Sequence, residues 1–373
     1  MNTKIKNIVN CAVIGIVIFT FTILCLFLQK PTFLDSERRE PAQFPTLTVE
    51  TVMRDGISYA NSFMKLFDDK YTPDNFPFRE GFKNLKSFVG TYIFGHKDKD
   101  GIFVENGYAA EMQDKINYES IEHASNKITF LYKRYLEKLG ITPYISIIPD
   151  KAYFLGAQNG YPTMDYDKFI EDMLASVDFA EYIDITGNLS IEDYYNSDTH
   201  WRQEQITDIA AILVNAMGGN YNSEFTVNKL DNPFYGVYSG RTPKPLSSET
   251  LYYLTNDNMQ NLIVKEQGGN LNSIYDMELG NGKDAYDIFL GGERALVTIT
   301  NPNAKTDKEL VIIRDSYGRS IIPLLTDDYA KITVVDIRYL SGMMLGNFGI
   351  FKPGQDVLFL YSTLVLNNSF EMK

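Results

Sequence analysis

Apolar positions along the chain follow three different patterns, and each predicts a different kind of element. From Ile8 to Leu28 there is no alternation: the run is 21 residues long and carries no charge. At about 1.5 Å per residue of helix this is enough to cross a bilayer core of about 30 Å. Further on, apolar residues recur at helical spacing over 115–139, which closes at Gly140, and again over 165–177, 203–217 and 318–326. Between these lie short, almost wholly apolar runs: Tyr144–Ile148, Tyr182–Ile185, Leu310–Ile313, Ile332–Val335 and Val357–Tyr361. Runs of that length and β-branched content predict buried strands, and strands alternating with helices predict an α/β fold with a parallel sheet flanked by helices.

Other stretches interrupt this rhythm. Residues 31–45 are polar and bounded by Pro31 and Pro45, a linker. Mixed helical spacing from Thr46 to about Asp69 predicts a helix, broken at YTPDNFPFRE and followed by another over Gly81–Phe94. In Lys99–Glu105 (KDGIFVE) a Lys-Asp-Gly turn leads into a short strand. Residues 225–300 are rich in Asn, Gly, Ser and Tyr and predict a β-rich insertion.

Charge and cysteine content sharpen the layout. Lys4 and Lys6 precede the apolar run, which favours a cytoplasmic N-terminus with an extracytoplasmic remainder. The alternative, a cleaved signal peptide, has a shorter apolar region ending in small residues, whereas this one ends Leu26-Phe27-Leu28-Gln29. Leu24 before Cys25 is too large for the usual lipoprotein pattern. The layout expected is therefore a single-pass anchor over 1–30, the linker, and one extracytoplasmic domain over 46–373. Both cysteines, Cys11 and Cys25, lie in the anchor, so disulfides, Cys metal sites and Cys nucleophiles are excluded beyond it. The first thirty residues hold three Lys and no acid, so the −13 of the whole chain becomes −16 outside them. That balance argues against nucleic-acid binding.

Only three histidines are present. His96 (FGHKDKD) and His123 (IEHASNK) read as surface residues. His200 stands in YYNSDTHWRQEQ, two residues after Asp198, beside Trp201, the one tryptophan, and ahead of a helix. An Asp so placed can accept from one imidazole nitrogen and leave the other as a general base; it can equally cap the helix that follows. A metal reading lacks a third nitrogen or sulfur ligand, so no metal or other cofactor is expected. The second feature is ELVIIRDSYGR, ending at Arg319: a buried strand runs into Asp315-Ser316-Tyr317-Gly318 and then a helix. A serine at such a turn presents its hydroxyl at the C-terminal edge of the sheet, where backbone N–H groups can stabilise an oxyanion; the plainer reading is a helix cap. Together Asp198, His200 and Ser316 supply the members of a Ser-His-Asp triad. Lower-ranked candidates for substrate or oxyanion contact are Tyr317, Trp201, Tyr195 with its neighbour Tyr194, Lys151 after the strand in IPDK, and Arg338. For Tyr194 and Tyr195, in a chain with 25 Tyr and 24 Phe, core or surface packing is the default and stacking on sugar rings the alternative. Arg338 stands with Asp336 in VVDIRYL, where a structural ion pair is the alternative.

The set SDTHW, RDSYG and SIIPDKAYF, in that chain with DSERREPAQFP, FDDKYTPDNFPFRE, VVDIRYL and DVLFLYST, resembles the DHHW family from about residue 34 to the C-terminus. These are relatives of the AlgX and AlgJ alginate O-acetylation proteins. The resemblance implies an SGNH-hydrolase-like (flavodoxin-like) fold with a permuted block order, the Asp-x-His block preceding the Ser block. It matches Ser316 to the nucleophile, His200 to the base and Asp198 to the orienting acid. Two departures stand out: Arg314-Asp315-Ser316 replaces Gly-Asp-Ser, and Thr199 occupies the second position of the name motif.

What the resemblance implies about function is transfer of acetyl groups to hydroxyls of an exported polysaccharide, with acetyl supplied by a membrane-bound O-acyltransferase (MBOAT) partner. The same triad with water as acceptor would make a carbohydrate esterase, and a decayed site would leave a polysaccharide-binding protein. The acidic balance disfavours an anionic polymer and favours a neutral one such as a β-glucan.

Overall fold

The computed structural model describes residues 3–28, 30–32, 34, 40–46, 61–95, 97–244, 246–266, 269–271, 273–282 and 284–373. They divide into two compact units, Met1–Lys97 and Asp98–Lys373. The predicted helix over 46–69 falls largely on 47–60, outside the described residues, and His96 is outside them too.

In the first unit the apolar run is an unbroken helix, Thr3–Phe27. Its stretch Thr3–Cys25 has a mean hydropathy of 2.6 and no residue buried by protein. A helix this long and apolar is compatible with a membrane anchor or a signal sequence. The second predicted helix is Arg79–Phe88, extended by a wider turn, Val89–Ile93.

The second unit opens with β1 (Asp98–Lys99), β2 (Ile102–Glu105) and β3 (Tyr108–Glu111), an antiparallel meander. Asp100 and Gly101 join β1 to β2 at φ 53° and 79°, the left-handed pair that a two-residue hairpin turn requires. Helix Tyr118–Leu131 is capped by Asn117, whose side chain accepts from Ser120 N–H at 3.2 Å, and its extension ends at left-handed Gly140.

The main sheet is built from β4 (Tyr144–Ile148), β5 (Glu181–Tyr182), β8 (Ile263–Glu266), β9 (Gly269–Leu271), β10 (Leu296–Thr300), β11 (Glu309–Arg314), β12 (Lys331–Val335) and β13 (Asp356–Ser362). β6 (Thr226–Lys229) and β7 (Tyr252–Thr255) form a separate ribbon. The sheet order is β5-β4-β13-β11-β12-β10-β8-β9. The first five strands are mutually parallel and the last three antiparallel. The stretch 225–300 therefore does more than leave the sheet: it supplies the antiparallel side. The strand expected over 182–185 is only Glu181–Tyr182, because the chain turns into a 3-10 segment, Thr186–Asn188.

Side-chain alternation along the strands creates two cores. Leu310 and Ile312 of β11, with Leu358 and Leu360 of β13, face one, which is covered by helix Thr207–Ala216. Val311 and Ile313, with Val357 and Phe359, face the other, under Tyr118–Leu131 and Tyr166–Ala175. Ile312 is fully buried, so its truncation to Ala costs about 2–5 kcal/mol. These rigid central strands set where the C-terminal edge of the sheet lies, and the candidate residues gather there.

Candidate active site

β11 sits between β12 and β13, so the chain leaving it must turn at the sheet edge. Asp315 builds that turn. One carboxylate oxygen accepts from Tyr317 N–H at 3.0 Å; the other accepts from Ser362 N–H at 2.7 Å and from its hydroxyl at 2.6 Å, at the end of β13. From Leu310 to Tyr329 every residue is buried except Ser316. In the turn Asp315–Gly318, Ser316 N–H is also the one backbone donor without an internal acceptor. The helix expected over 318–326 is one α-turn, Gly318–Ile321, followed by the 3-10 turn Ile322–Leu325 containing Pro323.

Arg314 is accommodated by a neighbouring glycine. A Cβ on Gly318 would lie 2.8, 2.9 and 3.0 Å from Arg314 Cβ, Cγ and Cδ. The stem thus folds beneath the turn, and Nη1 donates to Asp336 at 2.9 Å and to Asp315 O at 3.2 Å. Nε and Nη2 are buried without partners, and burial lowers the pKa of this guanidinium.

The second arm of the site is irregular. Tyr194 pairs with Trp201 in an isolated bridge, and Tyr195 N–H donates to His200 O at 3.1 Å, folding 196–199 into a loop. Two remote charged side chains hold it. Glu249 accepts from Asn196 N–H at 2.6 Å, Ser197 N–H at 2.7 Å and Ser197 Oγ at 2.6 Å. Lys151 Nζ donates to Tyr195 O at 2.7 Å and Asn196 O at 3.2 Å. Burial pushes the Lys151 pKa down to about 7, against the pull of Asp198, Glu249 and Asp150.

Within the loop, one Asp198 oxygen accepts from His200 N–H at 3.0 Å and lies 2.6 Å from His200 Nδ1; the other accepts from Val237 N–H at 2.8 Å. Val237 comes this close because Gly236 precedes it: a Cβ there would lie 2.4 Å from the nitrogen, Cα and Cβ of Asp198. Burial alone would raise the Asp198 carboxyl. The His200 charge and the hydrogen bonds from His200 and Val237 outweigh it and hold the acid well below the usual carboxylate range. An ionised carboxylate only accepts, so His200 Nδ1–H donates to it, and in the neutral ring Nε2 is left as an acceptor. Ser316 Oγ stands 2.8 Å from that Nε2. The imidazole also stacks on Tyr286, ring centroids 3.9 Å apart and 7° from parallel.

The structure gives the lower-ranked candidates other places. Tyr317 is buried, and its hydroxyl donates to Thr199 O at 2.7 Å. Trp201 is fully buried, and its Nε1–H reaches Tyr317 O at 3.0 Å and Ser320 Oγ at 2.9 Å. Neither ring has surface to offer a sugar; both clamp the serine turn to the histidine loop. Tyr195 is fully buried against Phe234, and Tyr194 donates to Pro149 O at 2.6 Å, so these too are core. Lys151 is spent on the loop carbonyls. Arg338 grips Asp336 through Nε at 3.0 Å and Nη2 at 2.7 Å, and Asp336 serves Arg314 as well, a buried ion-pair cluster. His123 is half-buried, its Nδ1 3.1 Å from Ser369 Oγ. Glu249, Tyr286 and the Val237 N–H escaped sequence reasoning, since nothing local marks them. Asp315 was visible in DSYG, but its hold on Ser362 was not. Among the described residues no cluster of His, Cys, Asp and Glu is disposed to hold a metal ion.

A family model described as DHHW protein matches residues 186–335, a stretch containing Asp198, His200 and Ser316. Among curated proteins none matches significantly. Among solved structures, a DHHW family protein from Eubacterium siraeum aligns at TM-score 0.55 and 18% identity, covering 74% of this chain and 98% of its own. Bacillus cereus PatB1, solved with a sulfonyl adduct, aligns at TM-score 0.55 and 18% identity, covering 71% and 97%. The O-acetyltransferase domain of Pseudomonas putida AlgJ aligns at TM-score 0.40 and 11% identity, covering 72% and 92%. The first two share the fold of this chain.

Proposed function

We propose that this chain, with its DHHW match over residues 186–335, is a serine O-acetyltransferase acting on an exported polysaccharide and held to the membrane by its N-terminal helix. One observation carries the reading: Ser316 Oγ, the His200 ring and the Asp198 carboxylate form a continuous hydrogen-bonded run ending at the only residue of its segment that reaches the surface. His200 Nε2 takes the Ser316 proton as Oγ attacks the acetyl carbonyl carbon of the donor. Charge develops on the carbonyl oxygen, and Ser316 N–H is the donor at hand for it. Collapse breaks the bond to the leaving group, which departs with the proton from His200. A sugar hydroxyl then attacks acetyl-Ser316, giving its proton to His200, which returns it to Ser316 Oγ. The donor is expected to be an acetyl carrier presented by an MBOAT-type membrane protein, and the acceptor a neutral glycan such as a β-glucan, in keeping with the acidity of the chain. The adduct on PatB1 recommends sulfonyl fluorides as probes of Ser316.

The test uses the full chain in detergent, an activated acetyl ester and a β-glucan oligosaccharide. Wild type is expected to acetylate the sugar, and Ser316→Ala and His200→Ala to do so no faster than buffer. Release of acetate without sugar acetylation would make the protein an esterase. Equal background rates for all three proteins would overturn the enzyme and leave a glycan-binding protein.

A further inference from the structure

The first unit carries a helix whose apolar face is largely exposed among the described residues. Along Arg79–Phe88 and the residues flanking it, Phe78, Phe82, Leu85, Phe88 and Tyr92 are 61, 45, 55, 55 and 66% exposed. Phe78, Phe82 and Leu85, with Val89, recur at helical spacing and share one face, which Phe88 widens. The other face carries Arg79, Glu80, Lys83 and Ser87, and Lys86 flanks the stripe one turn beyond Phe82. An apolar stripe of that size on a water-soluble surface is costly, because its Phe and Leu side chains forgo the gain of leaving water.

Where this helix touches the anchor helix says what covers it. The ring of Phe82 lies 5.9 Å from that of Phe21, and Phe76 stacks on Phe21 at 5.5 Å. Phe21 belongs to Thr3–Phe27 and lies six residues before its end, about 9 Å along the axis. Amphipathic helices lying in a bilayer interface sit about 5–10 Å into the boundary between headgroups and acyl chains, with basic residues on the polar face. We propose that Arg79–Phe88, with its flanking aromatics, lies in the membrane interface, inserting Phe82, Leu85 and Phe88 among the acyl chains as a second membrane contact beside the span. This rests on reading Thr3–Cys25 as a span. Lys86, at the edge of the stripe, then reaches up to the headgroups.

The experiment uses the full chain in phosphatidylcholine–phosphatidylglycerol vesicles, with or without brominated acyl chains, and the single variants Phe82→Trp, Phe88→Trp, Glu80→Trp and Phe19→Trp. Trp201, fully buried in the other unit, supplies a constant background and reports that the fold is intact. Emission added at positions 82 and 88 is expected to be blue-shifted and quenched at least about twofold by brominated lipid, with position 80 quenched less. Equal quenching at 80, or none at 82 and 88, overturns the proposal. So does protection of 82 and 88 from both brominated lipid and aqueous acrylamide, which would mean that a protein covers the stripe. Position 19 separates the two readings: quenching there without quenching at 82 removes the interfacial helix alone, and its absence removes the anchor as well.

Discussion

The two arms of the site are built in opposite ways. The serine turn is an outgrowth of the sheet: a buried central strand ends, and Asp315 ties the turn to the next strand through Ser362. The histidine loop has no strand beneath it. It is held from outside by a carboxylate on its N–H groups, Glu249, and a cation on its carbonyls, Lys151. Tyr317 and Trp201 then lock arm to arm. A nucleophile needs only to be presented, and a strand end presents it. A base needs a fixed tautomer and ring plane, and here four remote groups set them: Glu249, Lys151, Val237 and Tyr286.

On the proposed mechanism the largest losses are expected at Ser316 and Asp198. Ser316→Ala should lower kcat/KM for acetyl transfer by roughly 10⁴-fold or more. Its stability in urea should stay within about 0.5 kcal/mol of wild type, because the hydroxyl is part-exposed and the turn is held by Asp315. Asp198→Asn should cost about 10³–10⁴-fold in kcat by releasing the tautomer. Its stability has a definite pH sign. The folded Asp198 pKa lies below the unfolded value, so the stabilisation is present above the unfolded pKa and lost as pH falls through the folded one. Urea unfolding of wild type and variant should therefore differ at neutral pH and converge in strong acid.

Smaller changes weigh the two arms against each other. Glu249→Gln keeps one acceptor and loses the charge; it should cost about 1.5–3 kcal/mol in unfolding free energy and lower kcat about 10–100-fold, with little change in KM for a small ester. Ser362→Ala, the matching change on the serine side, leaves the Ser362 N–H on Asp315; it should cost a similar amount, about 1.5–3 kcal/mol, since a hydroxyl bond to a carboxylate is lost, but keep activity within about fivefold of wild type. Equal kinetic losses from the two would refute the asymmetry. The mildest effect is a slope. Lys151 is depressed to about 7 from 10.5, so the unfolded chain holds the extra proton between those values. Wild-type stability should thus gain a contribution rising with pH across that window, with the full burial penalty present below it. Lys151→Met should remove that contribution, measured as urea midpoints at several pH values.

The sequence made one arm far more readable than the other. Val311, Ile312 and Ile313 form an unmistakable buried run, and DSYG after it marks a turn, so Ser316 could be placed on a sheet edge without coordinates. Asp198 and His200 were readable as a pair because their relation spans two residues. The tyrosines were open to two readings: a Tyr before a turn can equally stack outward on a ligand or inward on Phe234, and only burial decides. Arg338 was readable as half of an ion pair with Asp336, but the sharing of that carboxylate with Arg314 was not, because it joins two strands. Glu249 and Tyr286 lie in an irregular segment whose partners are 50 or more residues away, where neither periodicity nor turn chemistry carries information. The same segment reads as an insertion in composition, yet β8, β9 and β10 complete the sheet, since short polar-interrupted strands resemble loops until they find a neighbour.

That irregular segment also dictates an order of events as the chain folds. Val237, Glu249 and Tyr286, which fix the imidazole, all come from it, and their contacts close loops of some 40 to 90 residues. The serine turn needs β11 and its neighbours in the sheet, with one long closure, the 47 residues from Asp315 to Ser362, where the base needs three from an irregular segment. Contacts that close long loops bear a larger entropic cost before they return any stabilisation, so the base should be the last part of the site to acquire its geometry. Amide exchange should accordingly show the 196–200 loop opening more readily than β11. A half-folded chain would then hold its nucleophile without its base, and reactivity would arrive together with the finished fold.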